Sequence, residues 1–284
     1  MRAVCRRLGT NERMELEDVA GDAGFLFARN GIGVAGRGQS WRGPVDDAPA
    51  VLAAIEVDGP IGPVAIGALP FRPGQPGELT VPAVTIRHCV DGAAWIITID
   101  GAKYHGDRQR AEEVTASAYS IRPVTPIDRY LTAVGAARRA VRDGRLTKAV
   151  IAREIVVEAD QPIGRHGVLR RLRGSFGSSY RFAVDGFIGA SPELLVEVEG
   201  RVIRSHPLAG TASRTGDVDL DAAIAAELVA STKDQVEHRV VIDMIHDTLL
   251  PWCSFLDWEP DPSIVTVANV QHLGTRLEGR LSTP

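Results

Sequence analysis

Three dipeptides in which glycine follows a polar residue divide the chain into pairs of short β-favouring runs. Asn30-Gly31 separates the apolar run 24–29 from the run 32–37, and Asp185-Gly186 and Glu199-Gly200 stand between later runs. Pairs of this kind adopt the positive φ values of tight hairpin turns, and a tight hairpin joins antiparallel strands. The sequence therefore predicts a hairpin at Asn30-Gly31 and turns between strands at the two later pairs.

The first of these turns also overlaps a familiar glycine pattern. Gly31, Gly33 and Gly36 have the spacing of the G-x-G-x-x-G motif of dinucleotide-binding folds. That motif requires a helix that starts on the glycines, because the helix N-terminus holds the pyrophosphate. The run that follows, Arg37 to Pro44, contains two further glycines and ends in proline, so it cannot form a helix of useful length. We interpret the glycines as part of a hairpin and exclude a nicotinamide-linked oxidoreductase.

Helical and strand patterns alternate in the second part of the chain. Apolar residues recur at helical spacing from Asp128 to Asp143, and Gly144 stands where a C-terminal cap is expected. β-Branched residues predict a strand from Lys148 to Ala159, and a longer helix is predicted from 233 to 250. This order indicates an α+β fold with large sheets and helices outside. The predicted apolar face of the long helix consists of Val236, Val240, Val241, Met244, Ile245 and Leu249.

The composition argues against several classes of function. The chain has 284 residues, 44% of them hydrophobic, and a net charge of −4, so it can bury a sizeable core and gives no reason to expect nucleic acid or a membrane as partner. Its three cysteines (Cys5, Cys89 and Cys253) are far apart, which argues against a disulfide framework and a cysteine zinc site. No apolar run is long enough for a membrane span, and the N-terminus lacks the pattern of a signal peptide. We expect a cytoplasmic protein.

Five short segments in the second part stand out together. Taken singly, each has an ordinary explanation: Lys233 and Glu237 could form a surface ion pair, and His272 could be a core histidine. Their joint occurrence, in this order and at these separations, favours a functional site. The segments are Lys148–Arg153, Gly189–Leu195, Pro207–Thr211, Lys233–His238 and Gln271–Leu273.

On these segments the chain resembles the chorismate-utilising enzymes, and within them the isochorismate synthases. The similarity is clear from Pro123 to Leu281 and fainter before that range. It implies the chorismate-binding fold, in which large, mostly antiparallel sheets pack face to face with helices outside. We accordingly expect one structural domain, in which residues 1–122 form an N-terminal part of the sheet core and residues 123–284 carry the catalytic motifs.

The resemblance implies a role for each of six residues. Lys148 corresponds to the general base and Glu193 to the general acid, on opposite sides of a flat substrate ring in one cavity. Glu237 corresponds to a carboxylate that holds Mg²⁺ at the rim of that cavity. The residues that correspond to the lining of the substrate pocket are Gly210, Thr211 and His272.

The chemistry of chorismate accounts for these residue types. Isochorismate forms when water adds at one ring carbon and a hydroxyl leaves from another, so the reaction needs a base and an acid. A lysine is a base near neutral pH only if burial or nearby cations lower its pKa, and a glutamate is an acid there only if its pKa is raised. A hard cation such as Mg²⁺ prefers oxygen ligands, and it would orient the ring carboxylate and neutralise its charge.

Two positions favour water as the nucleophile. Ala209 stands where aminodeoxychorismate synthases of this family typically carry a lysine nucleophile, which argues against that branch. Lys148 stands where anthranilate synthases usually have glutamine, so a base for water is present. Isochorismate synthase is therefore the first hypothesis, and salicylate synthase, which adds pyruvate elimination, is the second. The sequence does not choose between siderophore and menaquinone synthesis, and it does not indicate an oligomeric state.

The resemblance also implies parts of the family's domain that this sequence does not show. The domain normally continues through a His-Pro-Thr-Pro-type motif, a second magnesium glutamate and an arginine for the substrate carboxylate. A dianionic substrate without that arginine loses a charge-assisted contact, and a Mg²⁺ site with fewer carboxylates binds weakly. We therefore expect a chain that is incomplete at its C-terminus, and the third hypothesis is a catalytically inactive remnant.

Overall fold

The computed structural model describes residues 1–72, 74–104 and 116–283, and its internal contacts divide the chain into two units. Unit 1 consists of Met1–Thr115 and Ile163–Ser191, and unit 2 consists of Ala116–Pro162 and Pro192–Pro284. Each unit is thus assembled from two separate stretches of sequence.

Strands outnumber α-helices in the described part of both units. The strands are β1 (Arg2–Arg7), β2 (Phe25–Arg29), β3 (Ile32–Arg37), β4 (Trp41–Pro44), β5 (Glu56–Asp58), β6 (Glu78–Val81), β7 (Val84–His88), β8 (Ala94–Ile99), β9 (Tyr119–Pro123), β10 (Ile155–Ala159), β11 (Tyr180–Val184), β12 (Phe187–Ser191), β13 (Leu194–Glu199), β14 (Val202–His206), β15 (Leu208–Ser213), β16 (Cys253–Trp258), β17 (Ser263–Thr266), β18 (Val270–Gly274) and β19 (Leu277–Leu281).

The α-helices are shorter in unit 1 than in unit 2. They are α1 (Leu16–Ala20), α2 (Ala48–Ala53), α3 (Ile127–Arg142), α4 (Arg165–Phe176), α5 (Val218–Ala230) and α6 (Thr232–Leu249). Single 3-10 turns occupy Thr10–Glu12, Val45–Asp47 and Leu250–Trp252. In the described part of the chain, no helix is long and apolar enough to cross a membrane.

An eight-stranded sheet in the order β12-β11-β2-β3-β7-β8-β1-β5 organises unit 1. The pairing of β1 with β5 is parallel, and each other neighbouring pair in this sheet is antiparallel. Asn30 and Gly31 adopt positive φ values of 53° and 74° between β2 and β3, which confirms the predicted hairpin. The G-x-G-x-x-G pattern therefore lies in a turn and a strand, with no helix starting on it.

The core of unit 1 lies between this sheet and the helices α1 and α4. Leu26, Ile86 and Leu169 are completely buried there. Among these apolar side chains lies an ion pair: Nη2 of Arg181 is 3.0 Å from Oε1 of Glu17, and both side chains are 2% exposed. Nη1 of Arg181 also donates to the carbonyl of Gly177 at 2.7 Å, so the charged pair has further hydrogen-bond partners in the interior.

Unit 2 contains two small antiparallel sheets and a separate ribbon. The sheets have the orders β13-β14-β19-β16 and β15-β18-β17, and β9 pairs with β10 alone. Helices α5 and α6 pack against β15, and α5 also contacts β18. Leu228 of α5, Ile242 of α6 and Leu273 of β18 are buried residues of these elements. The combination of helices with mostly antiparallel sheets confirms the predicted α+β class.

Two predictions about unit 2 were wrong in detail. The strand predicted to begin at Lys148 begins only at Ile155, because residues 148–153 pair with no strand in the described part of the chain. The predicted apolar face of the long helix is not a buried face, since Val236 is 58% and Met244 62% exposed. The residues that α6 buries are His238 and Ile242.

We predict that Glu17→Ala lowers the free energy of unfolding by about 3–5 kcal/mol, because it leaves the Arg181 guanidinium buried without its counter-charge. Urea unfolding followed by circular dichroism measures the loss. The control is Glu12→Ala, which breaks the exposed ion pair between Arg6 and Glu12 and should have a much smaller effect. Equal losses for the two variants would contradict the assigned role of the buried pair.

Candidate active site

Helix α6 carries one of the six predicted site residues, Glu237, in its N-terminal part. The side chain of Ser231 caps the helix by accepting a hydrogen bond from the backbone N–H of Asp234. One turn further, Glu237 forms an ion pair with Lys233 at 3.2 Å, and the Glu237 side chain is 40% exposed. The carboxylate of Glu237 raises the pKa of Lys233. Glu237 is thus a partly exposed carboxylate whose neighbour is an exposed ammonium group.

Lys148 reaches the same turn of α6 from a distant part of the sequence. It lies in the loop between α3 and β10 and is half-buried. Its Nζ donates a hydrogen bond of 3.4 Å to the backbone carbonyl of Glu237, which is 89 residues away in sequence. The predicted base and the predicted metal ligand are therefore neighbours in unit 2.

His238 is a residue of this site to which the sequence analysis gave no role. Its side chain is buried, Nε2 lies 2.8 Å from Oγ1 of Thr275, and Nδ1 has no hydrogen-bond partner. Burial, and then the nearby Lys148 and His206, lower the pKa of His238 to about 4. The imidazole is therefore neutral at neutral pH. The signal that could have identified it is its position directly after Glu237 within the Lys233–His238 segment.

Glu193 directly precedes β13 and is exposed. Its Oε1 accepts a hydrogen bond of 3.2 Å from the backbone N–H of Leu208, the first residue of β15. The following residue, Leu194, pairs with His206 across the β13–β14 ladder. This hydrogen bond holds Glu193, the predicted acid, near the start of β15, the strand that carries Gly210 and Thr211.

Gly210 forms a β-bulge in β15. The register of β15 against β18 shifts between Ala209 and Thr211, and Gly210 has a φ of +77°. A Cβ at this position would lie 3.3 Å from the Cβ of Asp234 in α6, so the absence of a side chain lets β15 approach the helix closely. The bulge therefore brings the predicted pocket segment next to the N-terminal turn of α6.

Thr211 and His272 are direct cross-strand partners on β15 and β18. Oγ1 of Thr211 lies 3.0 Å from Nδ1 of His272, so the two predicted pocket residues are joined by a hydrogen bond. The bond orients both polar groups on one face of the small sheet. Ala209, which occupies the position of the lysine nucleophile in aminodeoxychorismate synthases, is buried and pairs with Leu273.

A cleft of about 340 Å³ runs along a different face of α6. It is not lined by Lys148, Glu193 or Glu237, although His238 and Thr275 contribute to its wall. This cleft is therefore not the cavity that the sequence analysis predicted between the base and the acid. Its lining consists of Thr232, Gln235, Val236, His238, Arg239, Ile242, Trp258, Glu259, Pro260, Asp261, Pro262 and Thr275.

Candidate metal ligands are sparse in this region. In residues 1–72, 74–104 and 116–283, no group of three or more His, Cys, Asp or Glu side chains is arranged to hold a metal ion. Glu237 can supply one or two carboxylate oxygens if the surface pair with Lys233 opens. Mg²⁺ is commonly held in proteins by one or two carboxylates together with substrate oxygens and water, so Glu237 fits as a single ligand.

Comparison with known proteins gives matches over most of the chain. Residues 93–284 match the protein family described as chorismate binding enzyme. Isochorismate synthase DhbC of Bacillus subtilis (strain 168) is 31% identical over 244 residues, which are 82% of this chain and 58% of that protein. The chain thus spans less than two thirds of this curated relative.

Solved structures show the same fold over nearly the whole chain. DhbC from Bacillus anthracis has a TM-score of 0.76 and 28% identity, and the match covers 95% of this chain and 70% of that one. MenF, the menaquinone-specific isochorismate synthase from Escherichia coli, has a TM-score of 0.78 at 22% identity, covering 99% of this chain and 71% of that one.

The low pKa of His238 predicts a specific pH dependence of stability. Below its ordinary pKa of 6.5 the unfolded chain takes up a proton that the folded chain, with a pKa of about 4, does not take up. The free energy of unfolding should therefore fall as the pH falls from 6.5 to 4, by about 3 kcal/mol from this residue. Urea unfolding at a series of pH values measures the slope.

Two variants separate this effect from the hydrogen bond. His238→Asn should flatten the slope, because it removes the titrating group. Thr275→Ala should lower the stability evenly at all pH values, since it removes the partner of Nε2 but keeps the imidazole. An unchanged slope in His238→Asn would show that other groups cause the pH dependence.

Proposed function

Because the chain belongs to the chorismate-binding enzyme family, we propose that it acts as an isochorismate synthase, a Mg²⁺-dependent isomerase that converts chorismate to isochorismate. The observation that carries the proposal is the placement of Lys148, whose Nζ lies 3.4 Å from the carbonyl oxygen of Glu237. Two segments that are far apart in sequence thus bring the proposed base and the proposed metal ligand to one turn of α6.

The proposed reaction exchanges one water molecule for another. Lys148 takes a proton from the attacking water, whose oxygen forms the new bond to a ring carbon. The ring double bond shifts, and the original hydroxyl leaves from another ring carbon with a proton from Glu193, so that water is released. Lys148 gains the proton that Glu193 loses, and proton exchange with solvent restores both groups after each turnover.

In the free protein, Lys148 and Glu193 are both still accessible to water. Lys148 is half-buried, and Glu193 is exposed with one oxygen held by the N–H of Leu208. A substrate ring that lies between them would exclude water from both groups, and exclusion of water strengthens electrostatic interactions at a reacting centre. The hydrogen bond to Leu208 orients the carboxyl group of Glu193 in advance.

The proposed substrate pocket continues along β15 and β18. The bulge at Gly210 leaves that residue outside the regular β15–β18 pairing, and in this proposal its backbone groups meet a substrate carboxylate. The hydroxyl of Thr211 and the imidazole of His272 add polar groups that are already oriented by their mutual bond. Chorismate carries two carboxylates, so a pocket of backbone and side-chain donors matches its chemistry.

Glu237 is the residue that we assign to Mg²⁺. When bound, the ion would neutralise and orient a carboxylate of the substrate. The carboxylate of Glu237 becomes available when Lys233, whose side chain is 74% exposed, leaves its ion pair, and exposed pairs of this kind contribute little free energy. The remaining ligands in this assignment are substrate oxygens and water.

Salicylate synthase is the alternative product assignment, since it would use the same lysine and carboxylates and then eliminate pyruvate. Ala209 offers no nucleophile, which argues against covalent chemistry at that position. Mass analysis of the product separates the two assignments, because salicylate has lost the pyruvyl group and isochorismate has the mass of chorismate. A chain without either activity is the third outcome, and the purified protein tests it directly.

We predict that Lys148→Ala lowers the rate of isochorismate formation by about 10²–10⁴-fold, the usual contribution of a general base. A coupled assay with purified protein, chorismate and Mg²⁺ measures the rate. Lys103→Ala, at an exposed lysine of unit 1, is the matched control and should keep the full rate. Activity that survives in Lys148→Ala refutes the assigned base.

We predict that Glu237→Gln raises the dissociation constant of Mg²⁺ by about tenfold or more, because the amide keeps the shape of the side chain but loses its charge. Isothermal titration with Mg²⁺ in the presence of chorismate measures the affinity independently of turnover. Glu227→Gln, on the exposed surface of α5, serves as the control. Unchanged Mg²⁺ affinity in Glu237→Gln would exclude this residue as a ligand.

A further inference from the structure

Asp221 is a buried carboxylate to which the proposed reaction assigns no role. It lies in the first turn of α5, and the residue is 7% exposed. A charged group is unfavourable in the interior of a protein unless hydrogen bonds replace its contacts with water. The donors that surround Asp221 therefore show which parts of unit 2 depend on its charge.

The segment between β15 and α5 supplies these donors. Oδ1 of Asp221 accepts hydrogen bonds from the backbone N–H of Thr215 at 2.7 Å and from the Thr215 hydroxyl at 2.9 Å. Oδ2 accepts from Nε of Arg214 at 3.2 Å and from the backbone N–H of Gly216 at 3.3 Å. These bonds, first that from the Thr215 N–H, lower the pKa of Asp221, so the group is charged at neutral pH. One carboxylate thus fixes the residues that directly follow β15.

Arg214 and Gln271 extend this network to β18. Nη1 of Arg214 donates to the carbonyl of Val267 at 2.8 Å, and its backbone N–H donates to the carbonyl of Asn269 at 2.9 Å. Both carbonyls belong to the turn that joins β17 to β18. Gln271 of β18, which is 3% exposed, donates from Nε2 to the backbone carbonyl of Asp221 at 2.9 Å. Asp221 therefore connects the start of α5 to both strands of the proposed pocket.

The bulge at Gly210 makes this connection important for the pocket. Beyond the bulge, the regular pairing of β15 with β18 extends only from Thr211 to Ser213. Thr211 lies opposite His272 at the start of this short segment, and the donors to Asp221 follow its end. A bulge interrupts the ladder, and a slip of one residue would turn the Thr211 hydroxyl to the other face of the sheet. The contacts of Asp221 hold the segment at the end opposite the bulge.

We propose that Asp221 is a positioning residue of the substrate pocket, because it keeps the segment 211–213 of β15 in register with β18. The proposal rests on the proposed function, in which Thr211 and His272 contact chorismate. Asp221 acts on the pocket through Arg214 and Gln271 and needs no contact with the substrate. Its effect reaches the pocket as the mutual orientation of the Thr211 hydroxyl and the His272 imidazole, which lie 3.0 Å apart.

The proposed base and acid are held by other contacts. Nζ of Lys148 donates to the carbonyl of Glu237, and the N–H of Leu208, on the other side of the bulge, holds Glu193. Loss of the Asp221 network should therefore disturb substrate binding more than the proton transfers. A substitution that weakens the binding of substrate and transition state equally raises KM and leaves kcat unchanged.

Asp221→Asn and Asp217→Ala form a matched pair of variants at the start of α5. The first replaces a carboxylate oxygen by an NH2 group, which faces donors where an acceptor is needed. The second removes the cap of the same helix, whose hydrogen bonds come from the N–H groups of Asp219 and Leu220 within α5. Steady-state kinetics with purified protein, chorismate and Mg²⁺ measures KM and kcat. Asp221→Asn should raise KM about tenfold and keep kcat within about threefold, whereas Asp217→Ala should keep KM within about twofold of wild type.

A second measurement needs no turnover. Nitrogen NMR of the imidazole groups in the ligand-free protein reports the hydrogen bond between His272 and Thr211, and His272→Gln identifies the signal. Asp221→Asn should shift the Nδ1 signal of His272, and Asp217→Ala should leave it unchanged. If the wild-type protein does not convert chorismate, the proposed function fails, and this signal still decides whether Asp221 positions the pair.

Thr215→Val tests the same network if circular dichroism shows that Asp221→Asn folds poorly. Valine has nearly the shape of threonine but lacks the hydroxyl that donates to Asp221 at 2.9 Å, while the backbone donor remains. The loss of one of several hydrogen bonds should raise KM by about threefold.

Three results would overturn the proposal. The first is an unchanged KM and an unchanged His272 signal in correctly folded Asp221→Asn. The second is an equal rise of KM in Asp217→Ala, because the effect would then follow from a weakened helix. The third is a fall of kcat at constant KM, because Asp221 would then influence the chemical step and not the pocket.

Discussion

The close approach of β15 to α6 is the contact on which the candidate site depends. It is possible because Gly210 forms a bulge with a positive φ of 77° and has no Cβ, which would otherwise lie 3.3 Å from Asp234. Leu208 at the start of β15 holds Glu193, and the next turn of α6 carries Glu237 and contacts Lys148. The glycine at position 210 therefore allows β15, to which Glu193 is hydrogen-bonded, to pack closely against the helix that carries Glu237.

The sequence predicted the parts of the structure that local rules control. Asn30-Gly31, Asp185-Gly186 and Gly200 adopt the positive φ values expected of their turns, and Gly144 follows α3 with a φ of 68°. The motifs also identified residues that the structure brings together, since Lys148 contacts Glu237 and Thr211 contacts His272. The turn predictions have one physical basis: tight turns require residue types that tolerate positive φ values at particular positions.

The features that the sequence missed depend on distant contacts. The strand expected from Lys148 starts only at Ile155, where it pairs with Pro123 of β9. The buried His238 has its hydrogen-bond partner in Thr275, which is 37 residues away in sequence. The return of residues 163–191 to unit 1 follows from the pairing of β11 with β2. Pairings of this kind depend on which surface is available in the folded chain, and a local pattern does not contain that information. The roles of the six site residues remain predictions that the proposed variants test.

The discontinuous assembly of unit 1 has a consequence for how the protein reaches its native state. Arg181 completes the buried pair with Glu17 across 164 residues, and β11 joins a sheet whose first strands are synthesised much earlier. Loop closure over such a distance is slow, and topologies dominated by distant pairings fold slowly. During synthesis, the edge of β2 that pairs with β11 stays unpaired until residues 180–184 leave the ribosome. During that interval the nascent chain exposes an unpaired strand edge, so chaperone availability should influence the yield of correctly folded protein.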